Sequence, residues 1–564
     1  MAFMKSNALF FITSPRTPFK MIPEIRLLHE QFEGRPWNTV TQTEFYDCLV
    51  RSDFYEGSGS SRNQALSARD RINRGPKALG FVNLKPVVTL TEAGRTFVYG
   101  KRPEEIFLRQ LLKFQLPSPY HMEREQYTGT FCVRPYLEIF RLIRDLEYIT
   151  FDEFKIFAIN LTDYHYYDII RDNILKFRED MEREKGKYKI LVRASWDATI
   201  STIFSDEIAM GRTKTRETQD NSIKKFFATK RSNFRDYTDA CFRYLRYTGL
   251  VSISNRSASI SIFPEKLAEV DFFLQNEDQQ PVFQYDEAAY QDYLFNPSVP
   301  TLYADNRGNL SESLLKTGNF TRRELERLSV EELKNLRDEM ARRRKDAVIN
   351  AQTEDLKTYA LYSEVIDTYN EMLSDGYYDA PLMFEYNTWR AMTMLDGGTI
   401  RGNFKFDDYG QPLSTAAGNR PDIECDYEEF ALSVEVTLQA GQRQFESEGE
   451  SVPRHYGQLK KRVEKDTYCL FIAPTINAST LAHFYGLNHF PIALYGGKAK
   501  IIPLELDQFM RLIENSYNYP SRPGPSDIRH FLDSALLEGD RATDENDWKE
   551  RIQTCVNRWL CTPC

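Results

Sequence analysis

Pro421-Asp422-Ile423-Glu424-Cys425-Asp426-Tyr427-Glu428-Glu429-Phe430-Ala431-Leu432-Ser433-Val434-Glu435-Val436-Thr437 sets carboxylates against a buried-strand pattern, with twelve residues between Asp422 and Glu435. The run Ala431 to Leu438 reads as a strand. Successive side chains of a strand alternate faces, so Ser433, Glu435 and Thr437 share one face and Leu432, Val434, Val436 and Leu438 the other. A carboxylate within a sheet is costly unless it is paired or bound to a metal, which makes Glu435 a site candidate. An edge strand whose Glu435 faces water is the plain alternative, and the local run leaves both open.

The spacing adds a reason. An acidic residue just before one strand, a turn, and a second on the next strand bring two oxygen donors to one Mg²⁺, an ion that takes a few carboxylates together with waters and phosphate oxygens. The arrangement resembles the PD-(D/E)xK nuclease pattern in Pro421-Asp422 and Glu435-Val436-Thr437, with Thr437 standing where that pattern has lysine. A longer series occurs in order: Phe384-Glu385-Tyr386-Asn387-Thr388-Trp389, Ala416-Ala417-Gly418-Asn419-Arg420-Pro421-Asp422, Glu435-Val436-Thr437, Gln444-Phe445, Val452-Pro453-Arg454-His455-Tyr456 and Tyr468-Cys469-Leu470-Phe471-Ile472-Ala473-Pro474. Together these resemble the AlwI-type type IIS restriction endonucleases, including the large subunits of heterodimeric nicking enzymes, from the amino terminus to about residue 510.

The resemblance implies binding of a short asymmetric duplex sequence and Mg²⁺-dependent hydrolysis a few base pairs to one side, leaving a 5′-phosphate and a 3′-hydroxyl, with Mn²⁺ as a substitute ion. It implies Asp422 and Glu435 as metal ligands, Glu385 as an accessory carboxylate, and a further carboxylate ligand aligned at Glu448, with Glu446 and Glu450 as neighbouring choices of register. His455 falls on a motif position where it takes a proton from the attacking water or sits near phosphate. The implied partners are double-stranded DNA, a small catalytic subunit or a second copy of the chain, and a cognate DNA methyltransferase of the same bacterial, cytoplasmic system.

The chain has 564 residues, too many for one core. Its 41% hydrophobic, 13% aromatic and 27% charged residues are those of a folded protein rather than a disordered one. No apolar run reaches the roughly 20 residues that span a bilayer; Asn7 to Ile12 is short and reads as a first strand, not a signal peptide. Eight scattered cysteines make no disulfide framework, and the single C-x-x-C of Cys561 and Cys564 has no second pair with which to build a zinc site. The net charge of −9 divides unevenly: residues 1–250 carry 40 Lys and Arg against 32 Asp and Glu, a surplus of eight, which leaves 33 against 50 beyond, a deficit of seventeen. Phosphate attraction needs local rather than overall positive charge.

Read with that resemblance, the chain is expected to divide into a recognition subdomain over 1–150, a second over 151–303, a helical linker over 304–379 and a cleavage domain over 380–564. Helix, basic loop and alternating hairpin through Arg69, Asp70, Arg71, Lys77 and Val82 to Leu90 read as a winged helix. Guanidinium forks there fit guanine edges or phosphates, and an Arg-Asp surface ion-pair cluster is the plain alternative. A second basic region leads to Arg243 and Arg246, three apart on one helix face with Phe242 and Leu245 opposite, and reads as a second DNA-contacting patch; a merely solvated face is its alternative. Residues 271–310 lose periodicity, as at a domain boundary, and Thr321 to about Leu373 is strongly helical, with capping-box spacing at Thr321/Glu324 and Ser329/Glu332. Ser451 reads as the N-cap of a helix bearing Pro453, His455 and Lys460.

The fold class expected is therefore a multidomain α/β plus α protein: an amino-terminal winged-helix recognition region, a helical linker and a carboxy-terminal PD-(D/E)xK restriction-endonuclease-like domain. Two further readings stay open, a catalytically inert DNA-binding regulator with a degenerate nuclease domain, which Thr437 permits, and a repair nuclease without fixed sequence specificity.

Overall fold

The computed structural model describes residues 2–4, 7–55, 61, 63–125, 128–374, 377–395, 398–416 and 420–560. Cys561 and Cys564, Ala417 to Asn419 and most of the Gly/Ser-rich stretch 56–63 lie outside the described residues. The chain divides into two compact units, Met1–Arg51 with Ser61–Asp338, and Ser52–Ser60 with Glu339–Cys564. Among the described residues no helix is long and apolar enough to cross a membrane.

The first unit is largely helical. Helix Gln64–Ile72 precedes a short hairpin that pairs Val82 with Leu90, and Thr91 then caps helix Glu92–Tyr99 by accepting from the Gly94 N–H at 2.9 Å. Gly94 has no room for a side chain, since a Cβ there would lie 1.9 Å from the Phe81 carbonyl oxygen. The long helix Ile223–Tyr247 is followed by Gly249, whose φ of 70° turns the chain into the hairpin Val251–Ser254 and Ser259–Ile262. Tyr148–Thr150 joins that hairpin as a third strand.

Two expectations change in this unit. Asn7 to Ile12 is not a strand; Ala8, Leu9, Phe11 and Ile12 are buried in irregular backbone, with the Leu9 N–H donating to the Ile159 carbonyl at 2.9 Å. Burial among helices satisfies this apolar run without a partner strand. The stretch 271–310 holds helices Glu287–Phe295 and the start of Arg307–Lys316, and the unit continues through it to Asp338. Both capping boxes form: Thr321 with Glu324 opens a short helix, and Ser329 with Glu332 opens Val330–Lys357. Arg342, Arg343 and Arg344 are exposed there.

The second unit is built on a five-stranded sheet in the order Ile501–Glu505, Asp466–Ala473, Phe430–Val436, Ile423–Asp426, Thr399–Gly402. The first three strands are parallel, the fourth joins them antiparallel, and the fifth pairs antiparallel with the fourth. Phe430–Val436 is thus the central strand, hydrogen-bonded on both sides, which excludes an edge strand with Glu435 in water. It ends at Val436, two residues short of the expected Leu438.

Both sheet faces are covered. Leu432 and Val434 pack with Tyr468, Leu470 and Ile472 against helices Ala380–Met394, Leu506–Asn518, Pro525–Arg541 and Glu545–Arg558. Cys469, Phe471 and Ala473 face the other way, onto Val452 and Tyr456 of helix Gln442–Val463 and Phe484 of helix Ala478–His489. Each fully buried Leu, Val or Phe contributes about 1.5–3 kcal/mol, so the strand is fixed from both faces, and a one-residue slip in register would exchange them.

Candidate active site

Ile423 pairs with Val434 and Glu424 with Ser433 across the antiparallel ladder. One residue further along the same register, Asp422 stands opposite Glu435, where cross-strand Cβ atoms lie about 4.5–5.5 Å apart. The Asp422 carboxylate Oδ2 accepts the Val436 N–H at 2.8 Å. Asp422 is half-buried and Glu435 is 5% exposed. Glu385 comes from the buried helix Ala380–Met394, is 8% exposed, and accepts the Ala416 N–H at 2.9 Å, so it is not a solvent-facing helical Glu.

The helix above the Glu435 face begins at Gln442, after Gly441 at φ 61°, and not at Ser451. Pro453 therefore lies in its interior and has no N–H for the Gly449 carbonyl. His483 replaces that donor, its Nε2 lying 2.9 Å from the Gly449 oxygen. Close packing holds this helix in place, since a Cβ on Gly457 would come within 2.9 Å of the Tyr495 Cα. Glu448 and His455 are seven apart and share one helix face. Glu448 is half-buried, whereas Glu446 and Glu450 are exposed, and Glu450 pairs with Arg454 at 3.0 Å. His455 Nδ1 lies 2.9 Å from Glu435 Oε1.

This crowding shows in proton affinity. Burial first, then Glu435 and Glu448, push the Asp422 carboxyl well above its ordinary range, against the opposing Val436 N–H. Burial, Glu448 and Glu385 raise Glu435 likewise, with Arg454 acting the other way. Both groups thus bind protons more tightly folded than unfolded, where carboxyls titrate near about 4. The contribution of these two groups to the stability of the metal-free protein is full below that pH and is lost as pH rises through the raised values. Asp422→Asn is accordingly expected to melt above the parent in EDTA at neutral pH, with the difference closing as pH falls to about 4; thermal melts across pH check this.

Among the described residues no group of three or more His, Cys, Asp or Glu is arranged to hold a metal ion. Mg²⁺ uses only one or two carboxylates, keeping waters and phosphate oxygens for the rest. Two hard oxygen donors, opposed across a ladder and disfavoured as a pair of bare anions, have the chemistry of such a site. Thr437, at the position of the absent lysine, uses its hydroxyl to accept the Gln439 N–H at 3.1 Å.

The basic residues singled out in the first unit are placed less uniformly. Arg69 is exposed on helix Gln64–Ile72, Asp70 pairs with Arg74 at 2.8 Å, and Arg71 pairs with the buried Glu24. Lys77 lies over the Tyr120 ring at 4.7 Å, and burial lowers its pKa. Arg243 is held by Asp239 at 3.1 Å, and Arg246 is only 8% exposed, so these two do not form an open solvated face. Three residues beside the carboxylates escaped sequence reasoning: Asn403, Glu424 and Arg462. Only Glu424 carried a signal, standing two residues from Asp422 on the same strand face.

A family model described as AlwI restriction endonuclease matches residues 77–512, more than half of the chain. The match defines a site-specific deoxyribonuclease that acts on DNA. The chain belongs to the AlwI restriction endonuclease family. The matched span starts at Lys77, so Arg69, Asp70 and Arg71 lie ahead of it. Among solved structures, the small subunit of the heterodimeric restriction endonuclease R.BspD6I is 27% identical with a TM-score of 0.30, over 35% of this chain and 99% of its own. Restriction endonuclease FokI is 12% identical with a TM-score of 0.21, over 85% of this chain and 84% of its own. No curated protein matches the chain.

Proposed function

We propose that this chain is a type IIS endonuclease that binds a short asymmetric duplex site and hydrolyses one DNA strand per monomer, with Mg²⁺ held by Asp422 and Glu435 and assisted by Glu448 and Glu385. The observation that carries the reading is the opposition of Asp422 and Glu435 across one antiparallel ladder, with His455 on Glu435. Mg²⁺ bound there would supply charge for the phosphate oxygens and acidify a water. With the cation bound, Glu435 would be ionised and accept from His455 Nδ1–H, which leaves Nε2 as the basic nitrogen. Nε2 then takes the proton of the attacking water, the role open where Thr437 replaces lysine. Glu448, from the same helix face, adds negative charge that favours the cation. DNA enters through the amino-terminal unit, where its helix-and-hairpin segments act as winged helices and exposed cations such as Arg69 meet phosphate.

Purified protein incubated with plasmid is expected to cut at a fixed offset from one sequence with Mg²⁺ or Mn²⁺ and not with EDTA. Full-strength cutting in EDTA would remove the metal from the reading. Cleavage without a fixed offset would favour the unspecific repair nuclease, and no cleavage with retained specific binding would favour the inert regulator.

A further inference from the structure

One residue fixes the backbone on both sides of Asp422. The Asn403 main-chain N–H donates to the Asp422 carbonyl at 2.9 Å, and its side-chain Nδ2 donates to the Pro421 carbonyl at 2.7 Å. These two carbonyls belong to the peptide groups flanking the Asp422 Cα, so Asn403 sets both of its backbone torsions. The same Nδ2, with its second hydrogen, reaches Glu424 Oε1 at 3.0 Å. The other oxygen of Glu424 accepts from Arg462 Nη2 at 2.5 Å. Arg462 stands seven residues after His455, on the same face of helix Gln442–Val463.

We infer that Asn403, Glu424 and Arg462 form a positioning bracket that holds the Asp422 strand at a set distance from the helix carrying Glu448 and His455. None of the three touches the reacting atoms. Asp422 has its Oδ2 occupied by the Val436 N–H, so the direction of its remaining oxygen depends on the backbone that Asn403 fixes. Glu424 completes the link by turning a strand carboxylate toward the helix, and Arg462 closes it from the other side. Outer partners of this kind orient metal ligands, and their loss typically weakens metal affinity about 10–100-fold. The inference rests on the reading that Asp422 and Glu435 hold a divalent cation.

Calorimetric titration of the full chain with Mn²⁺ alone, without DNA, tests it. Arg462 is 46% exposed, so Arg462→Met is not expected to endanger folding. Plain electrostatics and positioning predict opposite signs here: deleting a cation near a cation site should tighten Mn²⁺ binding, whereas loosening the bracket should weaken it. Arg462→Met and Asn403→Ala are each expected to weaken binding about tenfold or more, with Arg462→Lys retaining most of the affinity. Melting in EDTA reports any general loss of structure. Mn²⁺ affinity unchanged or raised in Arg462→Met overturns the bracket while leaving the metal reading intact. Parent-like affinity in Asp422→Ala overturns the metal reading, and the bracket with it.

Discussion

Asp422→Ala and Glu435→Ala are each expected to abolish DNA cleavage while sequence-specific binding persists. The two carboxylates stand opposite each other across the ladder, whereas Glu448 comes from helix Gln442–Val463 and Glu385 from helix Ala380–Met394. Losing about 4 kcal/mol of charge stabilisation corresponds to about three decades in rate, so a fall of at least about a thousandfold is expected. Misfolding is not the cause to anticipate, because each substitution removes one of several mutually repelling carboxyls. The isosteric Asp422→Asn keeps the shape and serves as the matched control. Cleavage assays with Mg²⁺, paired with gel-shift binding in its absence, measure the two activities separately. A variant that cuts at near-normal rate removes that residue from the site.

Dilute protein on a plasmid with one site is expected to accumulate nicked circles. The chain holds one Asp422/Glu435 pair, and one such site attacks one phosphodiester at a time. A double-strand break then requires a second catalytic domain, from another copy of this chain or from a smaller partner subunit. The carboxy-terminal part is strongly acidic, which opposes self-association until DNA or metal offsets the charge. Linear product should therefore rise with protein concentration or with added partner. Linear DNA formed without a nicked intermediate, at a rate independent of concentration, would sink the one-strand account.

Much of the carboxy-terminal unit was legible because its signals are local. Period-two alternation marked the Glu435 strand, and a proline followed by Asp422 and a short turn marked its partner; both depend only on neighbouring residues. The capping boxes at Thr321 and Ser329 were readable for the same reason, since each closes within four residues. Family membership was likewise carried by the order of short motifs from Phe384 to Pro474.

What the tertiary structure decided involves partners distant in sequence. Pro453 in the interior of a helix looks like a helix start until His483, thirty residues away, supplies the donor that proline lacks. Glu448 differs from Glu446 and Glu450 only through the rotation of its helix against the sheet, which the packing of Val452 and Tyr456 sets. Arg246 sits on a basic helix face that the sequence offers as a DNA contact, yet the surrounding core buries it. Asn403 carried no signal at all. Its bonds to Pro421, Asp422 and Glu424 exist because the antiparallel ladder brings residue 403 beside residue 422. The sequence by itself thus determined the Glu435 strand, its Asp422 partner and the capping boxes at Thr321 and Ser329, because these follow from short-range periodicity and hydrogen bonding. Only the folded sheet decided which of those acids face one another and what holds them there, because that depends on register and on burial from both faces.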